Sequence, residues 1–115
     1  MLLKFFALVM GASFYLYGAT PSNEMEIPRT AYKDIYKYSL LEKTKKVSHF
    51  EATYKRSSFD SILYGKIEIN CTVRQVHEIG QSTLSAKKIP YTPTNKWYTP
   101  RITSFQADIM NFVCR

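Results

Sequence analysis

The sequence has 115 residues, is 45% hydrophobic and carries a formal net charge of +7 at pH 7. A chain of this length has room for one domain at most, which excludes large multidomain enzymes. Its 16 Lys and Arg residues outnumber its 9 Asp and Glu residues. This balance favours acidic partners such as nucleic acid, anionic lipid or an acidic protein surface.

The first stretch, Met1 to Ala19, predicts an export segment. Lys4 precedes a long uncharged apolar run, and the first charges after the run are Glu24 and Glu26. A cation on the amino side of such a run is the layout of an export signal, so the rest of the chain is expected outside the cytoplasm, periplasmic or secreted. Whether the segment is removed stays open. We favour a cleaved signal peptide over an uncleaved anchor, for which the run is barely long enough.

A polar tether over 20–29 and a small domain over 30–115 are expected to follow. Pro28 and Thr30 supply a start signal for a helix over Thr30 to Lys46. Within it four apolar positions recur at helical spacing, namely Tyr32, Ile35, Tyr36 and Leu40. We expect this helix to pack on a sheet with its basic side in solvent. A basic helix lying on a membrane is the alternative.

The middle of the chain predicts an antiparallel hairpin. Period-two alternation indicates strands over Ser48 to Lys55 and Ile62 to Val76, joined by a short polar turn. Gly65 near the start of the second strand suggests a bulge. We expect a turn over His77 to Ser82 and a shorter third strand over Thr83 to Ile89.

The final stretch, Ile102 to Cys114, fits a strand or a helix, and we favour the strand because it can bring Cys114 beside the inward-facing Cys71. These are the only two cysteines, and an exported chain of this size is expected to join them in one disulfide. Two free thiols, or pairing with another chain, are the alternatives. The expected fold is therefore α+β: one helix packed on an antiparallel sheet of three to four strands, with one disulfide.

The sequence contains no recognisable catalytic motif, and we expect no enzymatic activity, cofactor or metal. His49 and His77 are the only histidines. A hairpin could bring them together with Glu51 or Glu78 nearby, as a metal site or an acid–base pair. We prefer the interpretation that both histidines are solvated.

The loop from Pro90 to Arg101 is the strongest functional candidate. Its prolines exclude a central strand or a helix and stiffen the chain before any association. Between and after them lie the expected binding residues, Tyr91, Lys96, Trp97, Tyr98 and Arg101. Trp, Tyr and Arg dominate binding hot spots. The alternative is that Trp97 folds back over the sheet and completes the core.

Three functions follow in order of preference. The first is an exported, non-enzymatic protein-binding domain, an inhibitor, assembly factor or accessory factor that acts on an envelope or secreted partner. The second is a small basic effector or toxin that acts at anionic membrane surfaces. An enzyme that uses both histidines comes last. Nucleic acid is not an expected partner, because the chain is expected to be exported.

Overall fold

The computed structural model describes residues 24–31, 35–94 and 96–115. Five strands form one antiparallel sheet in sequential order, each paired with the next in the chain. The strands are β1 (Met25–Glu26), β2 (Lys37–Lys45), β3 (Phe50–Ser57), β4 (Ile62–Asn70) and β5 (Gln75–Ser82). A short 3₁₀ turn, Ala86–Lys88, follows the sheet, and the helix α1 (Phe105–Val113) ends the chain.

The α+β class, the antiparallel sheet and the β3–β4 hairpin are confirmed. The sheet has five strands instead of three to four. The places of the helix and of two strands differ from the prediction.

The predicted helix over Thr30 to Lys46 is wrong, because Lys37–Lys45 is strand β2. Where β2 pairs with β3, Leu41 has no partner, because Leu40 pairs with Tyr54 and Glu42 pairs with Thr53. A bulge of this kind shifts the side-chain alternation by one residue. The two-residue period is therefore broken in the middle of the strand, and the apolar spacing resembles that of a helix.

The predicted turn over His77 to Ser82 is also wrong, because it forms most of β5. Here Ile79 is the skipped residue, since Ile67 pairs with Glu78 and Lys66 pairs with Gly80. The bulge leaves Val76 and Ile79 three residues apart, yet both are buried. The predicted third strand, Thr83 to Ile89, instead contains the 3₁₀ turn.

The real turn lies at residues 71–74, inside the stretch predicted as one long strand. The Asn70 side-chain oxygen accepts hydrogen bonds from the backbone N–H groups of Thr72, at 3.0 Å, and Val73, at 3.3 Å. Arg74 then takes a left-handed conformation, with φ of 57°. Asparagine commonly starts turns in this way, through its own side chain.

The final stretch is a helix, so the favoured strand is wrong. Ser104 caps it, because its side-chain oxygen accepts from the Ala107 N–H at 3.1 Å. Such a cap satisfies one of the donors left unpaired at a helix start. The helix covers one side of the sheet, which we call the helix face. The core joins sheet residues of this face to the helix: Tyr38, Leu40, Ala52, Tyr54, Ile67, Ile69 and Val76 with Ile109, Met110 and Val113.

The predicted disulfide between Cys71 and Cys114 is present, with 5.6 Å between the two Cα atoms. It joins the turn after β4 to the residue after α1. The helix thus brings Cys114 to Cys71 as well as the expected strand would have done. The bond fixes the far end of α1 to the sheet.

Tyr54 fills the space above Gly65 on the helix face. The two residues pair across β3 and β4, and a Cβ atom at position 65 would overlap the Tyr54 ring. The ring also packs against Phe105, with 5.6 Å between centroids. Burial raises the pKa of Tyr54 to about 12, and a hydrogen bond from Gln81 opposes part of the shift. Gly65 is therefore required by packing and is not itself a bulge, because the residue inserted between the two strands is Ile79 of β5.

The segment before β2 belongs to the sheet and the core. Ile27 is only 1% exposed, and it donates its N–H to the Tyr38 carbonyl at 2.8 Å. Beyond it, Arg29 donates to the Asp108 carboxylate at 2.8 Å, and Thr30 donates through both its backbone N–H and its hydroxyl. The stretch predicted as a tether therefore includes β1 and a buried ion pair with α1.

The predicted export segment, Met1 to Ala19, lies outside the described residues. Among the residues that the structure describes, none belongs to a helix long and apolar enough to cross a membrane.

Candidate functional site

We call residues 90–101 the strap, and its described residues, 90–94 and 96–101, run along the outer edge of β5. The N–H groups of Thr92 and Thr94 donate to the Ile79 and Glu78 carbonyls, at 2.9 and 3.2 Å. Tyr98 and Val76 then exchange two hydrogen bonds, at 2.8 and 2.9 Å. The strap therefore pairs with backbone groups of an edge strand that would otherwise face solvent.

The strap approaches β5 closely at Gly80. A Cβ atom at this position would overlap the carbonyl oxygen of Pro90. Glycine allows the two backbones to meet where a side chain would separate them. Since Pro100 is buried as well, the strap is fixed near both of its ends.

Tyr98 points to the helix face, the side that its partner Val76 also faces. Its hydroxyl donates to Glu78 Oε2 at 2.6 Å, and Gln106 of α1 donates to the same oxygen at 2.8 Å. The pKa of Tyr98 is raised, mainly by burial and to a smaller extent by the hydrogen bond to Glu78. The phenol therefore stays neutral and holds the strap against the sheet.

Trp97 points to the opposite side of the sheet, which we call the open face, because neighbouring residues of an extended segment alternate sides. Its ring stacks on His77 with 5.4 Å between centroids and an interplanar angle of 30°. The His49 ring lies roughly perpendicular to it, with 5.6 Å between centroids and an interplanar angle of 72°. Trp97 thus covers both histidines and is itself half-buried.

Glu68 lies between the two histidines. Its Oε1 is 3.1 Å from His77 Nδ1, and its Oε2 is 3.4 Å from His49 Nε2. The register explains this, because Glu68 pairs directly with His77 across β4 and β5. We call His49, Glu68 and His77 the His–Glu–His cluster.

The two histidines do meet, as the alternative interpretation allowed, but the carboxylate between them is neither of those named. The preferred interpretation, that both are solvated, is wrong, because their side chains are only 23% and 15% exposed. Glu78 points to the helix face and accepts from Tyr98. Glu51 lies on the open face and reaches Lys66 at 4.0 Å. Only knowledge of the strand register could have singled out Glu68.

Three of the five predicted binding residues face outward. The Tyr91 side chain is 71% exposed, and Lys96 and Arg101 are exposed as well. Arg101 borders a cavity of about 270 Å³ whose wall includes Arg29, Tyr36 and Phe105. We call Tyr91, Lys96 and Arg101 the outer strap surface.

The strap therefore has an inner and an outer side. Trp97 and Tyr98 are packed against the protein, although Tyr98 keeps 37% exposure. The outer strap surface is presented to solvent by a backbone that β5 holds in place. Sequence reasoning treated the five residues as one surface and did not separate the two sides.

Within 24–31, 35–94 and 96–115, no three His, Cys, Asp or Glu side chains are arranged to hold a metal ion. No protein-family model, curated protein or solved structure matches the chain.

Proposed function

We propose that this protein is an exported, non-enzymatic binding domain that docks on an envelope or secreted protein through the outer strap surface. The observation that carries the proposal is the 71% exposed Tyr91 on a segment hydrogen-bonded to β5 along its length. An exposed aromatic ring on a rigid backbone binds with little loss of conformational entropy.

The charge of the strap suggests the chemistry of the partner. Lys96 and Arg101 are the charged residues of the strap, and the chain as a whole carries +7. Complementary potentials steer encounter and suppress wrong partners. We therefore expect an acidic protein surface with a shallow apolar pocket for the Tyr91 ring.

The two histidines favour a binding role over acid–base catalysis. Both rings contact Glu68, and both lie beneath Trp97. A general base must reach the proton that it removes. In this arrangement the histidine rings contact groups of the protein itself.

Quantitative capture from the native exported fraction tests the proposal. Tyr91→Ala should weaken retention of the partner by about 2 kcal/mol, or roughly thirtyfold, as expected of a hot-spot residue. Phe59→Ala is the matched control, because Phe59 is an equally apolar exposed ring in the β3–β4 turn. Equal loss in both variants, or no loss in Tyr91→Ala, would contradict the proposal.

A second function, contact with an anionic membrane, rests on a different surface. The predicted basic helix does not exist, but Phe59 is 101% exposed and Leu84 is 73% exposed. Both lie beyond the same end of the sheet, because β3 and β4 begin to pair at Ser57 and Ile62, and β5 ends at Ser82 beside Tyr64. Large apolar side chains fully in water are candidates for burial at a lipid interface.

One basic residue lies at this tip, and two more follow β5 in the chain. Lys37 pairs with Ser57 at the same end, and Lys87 and Lys88 are exposed in the 3₁₀ turn that follows β5. Asp60 is the acidic residue of the turn that carries Phe59. Cations beside an apolar tip suit an anionic leaflet.

Sedimentation with vesicles that contain phosphatidylglycerol tests this second function. Phe59→Ala should weaken binding about tenfold, since one buried aromatic ring contributes on that order. Val47→Ala is the control, because Val47 is 101% exposed at the opposite end of β3. Equal binding to neutral phosphatidylcholine vesicles, or insensitivity to salt, would contradict recognition of an anionic membrane.

A further inference from the structure

The only tryptophan of the chain and its only two histidines meet at one place. They come from three separate segments: His49 precedes β3, His77 lies in β5, and Trp97 belongs to the strap. Trp97 is also next to Tyr98, whose two backbone hydrogen bonds fix the strap to β5. Contacts between the indole and the imidazoles therefore contribute directly to how firmly the strap is held.

The imidazole rings are shielded but can exchange protons with water. The side chains of His77 and Glu68 are each 15% exposed, and that of His49 is 23% exposed. Histidine is the side chain that ordinarily changes charge between about pH 5 and 8. A change of charge here would occur in contact with the indole ring.

We infer that the His–Glu–His cluster and Trp97 form a latch that holds the strap more tightly on the sheet in acid than at neutral pH. The inference rests on the proposed function, because the strap carries the outer strap surface. Each histidine takes up one proton from solvent, and no covalent bond changes. The latch would regulate how rigidly Tyr91 and its neighbours are presented.

The direction of the pH effect depends on what a protonated histidine contacts when the strap is closed and when it is open. In both states, a protonated histidine keeps the carboxylate of Glu68 beside it. Only in the closed state does it also meet the indole, whose face and ring electrons attract a cation. Closure also removes water from the charged rings, which costs free energy, but both histidine side chains stay partly exposed in the closed state, at 23% and 15%. The cation–π contacts outweigh this reduced cost, so proton uptake favours closure.

Other charged groups border the cluster. Glu51 of β3 lies on the same face and is paired with Lys66 of β4. Lys96 of the strap is exposed next to Trp97. The two lysines oppose extra positive charge, and Glu51 supports it together with Glu68. By the alternation that places Trp97 on the open face, Lys96 points to the other side of the sheet, so its repulsion is weaker than the cation–π contacts, which act at direct ring contact.

Hydrogen exchange at the Tyr98 and Val76 amides tests the latch, because these two N–H groups form the bonds that opening breaks. After correction for the intrinsic pH dependence of exchange, protection should rise roughly tenfold between about pH 7.5 and 5.5, as two cation–π contacts would give. In His49→Gln/His77→Gln the rise should vanish. The amide of Ile67, in the centre of the sheet, is the internal control.

Fluorescence of Trp97 supplies the second measurement, since no other indole is present. Acid should quench the wild type, because protonated imidazole quenches a contacting indole, and should leave the double variant unchanged. If that variant does not fold, His49→Gln and His77→Gln are measured singly, and each should lose part of both effects.

Two outcomes overturn the latch: wild-type protection that does not change with pH, or a rise that survives in the glutamine variants. Quenching without a rise in protection also overturns it, because the histidines would then titrate without holding the strap. None of these measurements uses a partner. If the latch fails but partner capture still depends on Tyr91, the proposed function stands. If the latch is observed but capture does not depend on Tyr91, only the latch stands.

Discussion

Breaking the Cys71–Cys114 bond should lower the free energy of unfolding by about 4 kcal/mol, the entropy of closing a loop of this size in the unfolded chain. The two residues are 43 apart in sequence, which sets the loop. Small domains often have a net stability of only about 5 kcal/mol. The reduced protein should therefore be barely folded at physiological temperature.

Urea unfolding followed by far-UV circular dichroism measures this loss. Wild type with and without reductant isolates the covalent link, because both side chains remain in place. Cys71→Ala/Cys114→Ala should lose as much, together with a smaller packing contribution. A loss below about 1 kcal/mol in the reduced wild type would refute the loop-closure reasoning.

Three further perturbations test the packing. Gly65→Ala should destabilise by about 1–3 kcal/mol in urea unfolding, because the new methyl group overlaps the buried Tyr54 ring; an unchanged midpoint would contradict the packing. For Tyr54, whose pKa rises from 10.0 to about 12, the folded state holds its proton longer than the unfolded state, so stability is complete below pH 10 and is lost as the pH rises towards 12. The Tyr54→Phe side chain cannot ionise, so this variant should lose about 3 kcal/mol less free energy of unfolding than wild type over that pH range. Equal losses would be inconsistent with the raised pKa. Asp108→Asn leaves the Arg29 guanidinium without a counter-charge, although only 9% of the Arg29 side chain is exposed. The free energy of unfolding should therefore fall by about 3 kcal/mol, and a change under about 1 kcal/mol would argue against a buried pair.

Two bulges explain most of the difference between the predicted and the observed fold. Each inserts one residue, Leu41 in β2 and Ile79 in β5, into a strand that otherwise alternates. A periodicity test has no means of recognising such an insertion, because the evidence for it lies in the partner strand. The regular strand β3 was predicted to within two residues at each end, and β4 was predicted correctly at its start, but its predicted end ran on through the turn at 71–74.

The sequence before the C-terminal helix contains a local feature that predicts a helix instead of the favoured strand. Ser104 precedes the apolar run and caps the helix, as serine commonly does. Phe105, Ile109 and Val113 then recur at four-residue spacing along α1. The disulfide was predictable because the chain has only two cysteines, so only one internal pairing exists.

The strap could be predicted from its prolines and aromatic residues, but its two sides could not. Which ring faces inward depends on the hydrogen bonds between Tyr98 and Val76, which join residues 22 positions apart in the chain. The same holds for Glu68, whose place between the histidines follows from pairing across two strands. Tertiary register, which local sequence does not encode, determines both.

Site-specific photo-crosslinking from position 91 shows whether a partner protein binds at the outer strap surface. A photoreactive phenylalanine derivative replaces Tyr91 in one sample and Phe59 in another, and both are irradiated in the native exported fraction. We expect a discrete protein adduct from position 91 and none from position 59. Excess unlabelled protein should suppress the adduct. No adduct from position 91, or the same adducts from both positions, would contradict the claim that the strap is a binding surface.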